Sequence, residues 1–204
     1  MKAEKILDTT DKNSLPEQEL EIIKRMIERT RLETADSGTI LIMWGWLVLL
    51  ACTITYIFVF VDYPELSWLP WVILMPIGGV VTIFYSIRLD REAKVVTYSD
   101  QAMTSLWQAC GLAFFLVAFL AVPLKVISYE GLTPMIAIIA GIGMFSTGGI
   151  IEWKMARWSG FIWLIGAIVM MFSHWYYHTL ILGITIIPGY LIPGYALKKE
   201  FQNK

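Results

Sequence analysis

Six long stretches of the chain carry apolar residues on every side rather than along one stripe, and short polar connections separate them. They fall at 39–61, 69–87, 104–124, 132–151, 159–175 and 179–197, the fifth being the shortest. A bilayer core of about 30 Å is crossed by roughly 20 apolar residues in a helix, so the pattern predicts six transmembrane helices. A soluble bundle would keep a polar face on each helix, and these stretches have none. The predicted fold is an all-α polytopic membrane bundle.

The segment before the first span has a different pattern. Ser14 and Glu17 stand at capping-box spacing with Pro16 in the first turn, and Leu20, Ile23 and Ile27 follow on one side with Ile22 and Met26 beside them. Glu21 with Arg25 and Arg29 with Glu33 fit i,i+4 pairs on the other side. An amphipathic helix is predicted at 14–33, after a polar tail and before the break at Thr34 to Ser37. It suits the membrane surface or contact with another membrane or cytoplasmic protein. Three regions result: 1–37 with this helix, 38–197 with the six spans, and a tail at 198–204. No cleavable leader is expected, because the first apolar run is too long for one and follows a charged segment.

Charge sets the orientation. Of the 16 lysines and arginines, all but Lys125 lie before the first span, in the second and fourth connections, or after the sixth span. Cations accumulate on the cytoplasmic side, so both termini are predicted to be cytoplasmic. Trp68 and Trp71, Trp153 and Trp158, and the run Trp175, Tyr176, Tyr177 are expected as anchors at headgroup level. With 57% hydrophobic residues, 16% charged residues and a net charge of −1, the bilayer is the expected environment and nucleic acid is excluded as a partner.

The chain also reads as three hairpins. The returning helices compare best between Leu69-Pro70 through Pro76, Gly78 and Gly79 to Arg88, and Leu180 through Pro188-Gly189 to Lys198; the middle unit, Thr133-Pro134 through Gly141 and Gly143 to Lys154, fits less well. In the final span Pro188-Gly189-Tyr190 is followed by Pro193-Gly194-Tyr195. Each proline lacks an N–H and frees the carbonyl four residues earlier, so kinks are expected there. Pro76, Gly78, Gly79, Pro188, Gly189, Pro193 and Gly194 are therefore candidate hinges, with a tolerated kink as the alternative. Ala109 with Ala113, and Ala137 with Gly141, have the small-xxx-small spacing that lets helices approach.

Candidate chemistry is sparse. No ionisable side chain falls well within a span, which counts against a carboxylate relay in the membrane. Gln108 is the strongest polar residue inside one, suited to an interhelical hydrogen bond or a polar pathway. His174 and His178 are spaced as a helical metal pair, with Asp62 or Glu65 as conceivable third ligands, but the Trp175-Tyr176-Tyr177 turn and the missing glutamate of H-E-x-x-H argue for two interfacial imidazoles. Cys52 and Cys110 are expected as unpaired buried thiols. Nucleophile elbows, phosphate-binding loops and dinucleotide fingerprints are missing, and no cofactor is expected.

Ile22-Ile23 with Met26-Ile27, the Trp44-Gly45-Trp46 of the first span and Met75-Pro76-Ile77-Gly78-Gly79 of the second resemble uncharacterised bacterial six-span membrane proteins. The likeness covers most of the first half and, loosely, the later helices. It implies the inner (cytoplasmic) membrane of a bacterium and carries over no activity, ligand or functional residue. The expected role is a non-catalytic accessory or regulatory membrane subunit. A small transporter or channel-like protein for a neutral or lipid-like substrate comes second, and a membrane enzyme with an outer-face metal site third.

Overall fold

The computed structural model describes residues 38–92 and 98–202, so the helix expected at 14–33 lies outside the described residues. The described residues are helices joined by turns, with no strand among them. Six of the helical segments are long and apolar enough to cross a membrane. The first is α1 (Gly38–Phe60). It is followed by α2 (Leu69–Glu92), α3 (Tyr98–Phe115), α4 (Tyr129–Ile150) and α5 (Lys154–Phe172). A wide π-turn at Leu116–Ala121 extends α3. The last crossing is built in three pieces, α6 (His178–Ile186), a π-turn at Ile187–Leu191 and α7 (Ile192–Gln202).

These bounds differ from the apolar stretches because backbone hydrogen bonding continues after apolarity ends. The third span, apolar from 104, is helical from Tyr98, with Asp100 in the first turn where a carboxylate complements the helix dipole. Three helices stop on a non-glycine residue in the left-handed region: Asp62 (φ 67°), Lys125 (φ 61°) and Glu152 (φ 53°). Each closes a Schellman turn, through Tyr63 N–H to Phe58 O (2.9 Å), Val126 N–H to Ala121 O (2.9 Å) and Trp153 N–H to Gly148 O (3.0 Å). A charged residue at this position lies at the end of an apolar run, where its side chain can reach water.

The core sits between α4, α5 and the last crossing, with Met144, Trp163, Met170, Ile186 and Leu197 completely enclosed. α4 and α5 form an antiparallel pair in contact along their whole length. Glycines make that contact possible: a methyl group at Gly160 would fall 2.6 Å from the Phe145 backbone nitrogen, and one at Gly148 would strike the Arg157 backbone. Arg157 Nε also donates to Gly148 O (3.1 Å), serving a carbonyl at the end of α4.

α1 flanks this core on the side of the last crossing, where Gly38 and Gly194 let the two backbones meet. α2 packs outside α1 and is tied to it at two levels. Trp44 Nε1 of α1 donates to Thr82 Oγ1 of α2 (3.0 Å), and Trp71 Nε1 of α2 donates to Thr55 Oγ1 of α1 (3.0 Å). The Trp-Gly-Trp motif is thus a three-way junction: Trp44 reaches α2, Gly45 admits Leu191, and Trp46 Nε1 donates to Tyr195 of α7 (3.1 Å). Trp71, expected as an interfacial anchor, is half-buried and bonded within the bundle. α3 flanks the core on the opposite side, held to α4 by Trp107 and Cys110 over Gly143.

The surfaces left over are apolar. Ile83 and Phe84 on α2, Leu112 on α3 and Ile168 on α5 face outward. Water would penalise that surface at about 25 cal/mol per Å², whereas hydrocarbon does not, so the protein is membrane-embedded.

Candidate functional site

Backbone chemistry singles out the break in the last crossing. Pro193 has no N–H for the carbonyl of Gly189, four residues earlier, and that carbonyl lies in the protein interior. Ser159 Oγ of α5 donates to Gly189 O and supplies the missing bond. One turn further along α5, Trp163 faces the same glycine; a methyl group at position 189 would fall 2.5 Å from Trp163 Nε1. The indole also rests against the Tyr190 ring, with centroids 4.9 Å apart at 59°. Thr185 Oγ1 turns back to Ile181 O (2.7 Å), and Gly166 makes room for it against α5.

The Trp163 indole N–H in this cluster is buried without a partner, and among the described residues so are the Thr147 hydroxyl of α4 and the Ser67 hydroxyl before α2. An enclosed donor normally finds an acceptor, and leaving one unpaired costs about 1–3 kcal/mol. The remaining polar residues that are buried as a whole are Thr55, Ser159, Thr185 and His178 among the described residues. Each has a bond: Thr55 to Ser67 O (3.2 Å), Ser159 and Thr185 as above, and His178 Nε2 with Ser173 O (3.3 Å). Cys52 and Cys110 are free and buried.

The candidate hinge residues separate by position. Pro76 lies in the uninterrupted α2, whereas Pro188 stands inside the π-turn. Gly78 is the seat of the Trp44 ring, but Gly79 has nothing within 4 Å of where a methyl group would stand. Pro193 and Gly194 are buried, Gly194 against Gly38 and Ile42. Gly78 and Gly194 are therefore contact points between helices, and of the candidate hinge residues Pro188 and Gly189 are the ones that stand in irregular backbone, the π-turn at Ile187–Leu191.

Gln108 does not line the bundle interior. It is exposed on the outer face of α3 and bonds to no described residue. The two histidines diverge as well. His174 is exposed and caps the short turn Trp175–Tyr177, its Nδ1 accepting from Tyr176 N–H at 3.4 Å; His178 is buried at the start of α6. Among the described residues no three His, Cys, Asp or Glu side chains are grouped to hold a metal ion, and Asp62 and Glu65 do not complete such a group.

Comparison with known families, curated proteins and solved structures finds no match to this chain. The family resemblance therefore stands on its quoted residues alone, and any function has to be argued from the residues themselves.

Ser159, Trp163 and Tyr190 carry no sequence motif. The sequence signals only the acceptor that Ser159 serves, because a proline at 193 offers no N–H to the carbonyl at 189.

Proposed function

We propose that the chain is a non-catalytic accessory or regulatory subunit of a bacterial cytoplasmic membrane, with both termini in the cytoplasm. The observation that carries this reading is how the interior is filled. Trp163 and Tyr190 plug the space between α5 and the last crossing, and glycine-backed contacts close α4 onto α5. Packing that close favours a rigid scaffold over a route for a solute. The cation distribution supports the orientation, and the apolar stripe at 14–33 offers a contact for another membrane or cytoplasmic protein.

Purification in mild detergent followed by mass spectrometry tests this role. A stoichiometric second protein is the expected result. Recovery of the chain alone, together with solute flux after reconstitution into liposomes, would contradict it.

The second reading, a small transporter for a neutral or lipid-like substrate, is favoured by one specific feature. The π-turn at Ile187–Leu191 lies beside the unpaired Trp163 N–H, and broken helices with unsatisfied polar groups are where transporters bind substrate. The same flux measurement separates the two readings.

A further inference from the structure

α3 is the least covered of the six crossings, and its exposed face carries two glutamines and a serine. Gln101, Ser105, Gln108, Leu112, Phe115 and Phe119 are all exposed, at alternating spacings of four and three residues. The opposite face, with Trp107, Cys110 and Phe114, is turned to the core. Residues at alternating spacings of four and three share one helix face, and such a face can meet a second helix in a left-handed pair, the usual crossing of membrane helices.

Gln108 shows that lipid alone does not satisfy this seam. Trp107 and Cys110 lie level with Gly143 of α4, seven residues before the end of that helix at Ile150. At about 1.5 Å per residue, Gln108 is then roughly 10 Å inside the cation-bearing end of the bundle. Its amide has two N–H donors and a carbonyl acceptor, and no described residue answers them. Moving such a group from water to hydrocarbon without partners is strongly unfavourable.

We propose that the chain forms a homodimer in the membrane across α3, with Gln108 of each copy hydrogen-bonded to Gln108 of the other. Two copies inserted with the same topology are related by a two-fold axis along the membrane normal, so each seam residue meets its twin at the same depth and in the same direction. An amide is self-complementary in that arrangement, because each side chain donates one N–H and accepts one. A polar residue at one seam position also fixes register and pair formation. Thr104, Ala109 and Gly111, exposed beside the seam, are small enough for the backbones to approach. Further along, Phe115 and Phe119 stack with centroids 5.1 Å apart and supply an apolar half.

The test is oxidative cross-linking of the full chain in native membranes. In a chain whose native thiols are removed by Cys52→Ala and Cys110→Ala, single cysteines are introduced by Ser105→Cys and Leu112→Cys on the seam, and by Ile83→Cys and Ile168→Cys as comparators on exposed faces of α2 and α5. The seam cysteines are expected to give a disulfide-linked species of twice the 23.3 kDa monomer mass, well above the comparators. Adding Gln108→Leu to Leu112→Cys removes both hydrogen bonds of the amide pair and is expected to lower the yield by about 3-fold or more, a change that losing even one interhelical hydrogen bond produces. Equal yields at seam and comparator positions would overturn the proposal. So would a seam cross-link to a polypeptide of another mass, which would place a different protein on α3.

Discussion

Ser159 does at one position what a regular helix does for itself everywhere else. The carbonyl of Gly189 is orphaned by Pro193, and the hydroxyl of α5 restores its bond. Ser159→Ala is expected to lower stability in detergent by about 1–2 kcal/mol, since a buried acceptor is left unpaired. Ser173→Ala removes a hydroxyl bonded only to Met170 O, three residues earlier at a helix end, and is expected to cost less than about 0.5 kcal/mol. Unfolding midpoints of the two variants measured side by side check the difference. The orphaned carbonyl was legible in the sequence, because it follows from the proline alone. Its donor was not, since nothing along the chain says which helix lies opposite. The same limit applies to Gln108, whose polarity was plain but whose direction depends on which face of α3 meets α4.

Elements were read more fully than residues. Six apolar runs became six helices long enough to cross a membrane, and the expected irregularity of the last one is the π-turn at Ile187–Leu191. The π-turn at Leu116–Ala121 and the stops at Asp62, Lys125 and Glu152 had no signal, because glycine usually marks a left-handed stop and here charged residues do. Glycines are instead used for helix contact, and position decides their weight. Gly160→Leu drives a side chain into the Phe145 backbone and is expected to separate α4 from α5, lowering stability by about 3 kcal/mol or more. Gly79→Leu meets open space and is expected to change stability by less than about 0.5 kcal/mol. Thermal denaturation of the two variants in one detergent distinguishes them; similar losses would contradict the packing described.

At the scale of the whole molecule, the order of helices around the bundle could not be read from the sequence. Helices that are apolar all round have no face to assign, and the deciding contacts are a few tryptophan–threonine bonds and glycine crossings: Trp44 to Thr82, Trp71 to Thr55, Gly38 against Gly194. They place α2 outside α1 and leave α3 on the far side of α4, so the two peripheral helices offer most of their surface to lipid or to partners. The topology expectation rests on a different basis: cations distribute by insertion energetics, independent of packing. Six crossings put both ends on one side, and the cation distribution predicts that this side is the cytoplasm. The most direct measurement fuses a topology reporter after Lys204 and, in a second strain, before Met1. Both fusions are expected to report the cytoplasm. Opposite locations for the two ends would contradict an even number of crossings, and with it the six-helix account.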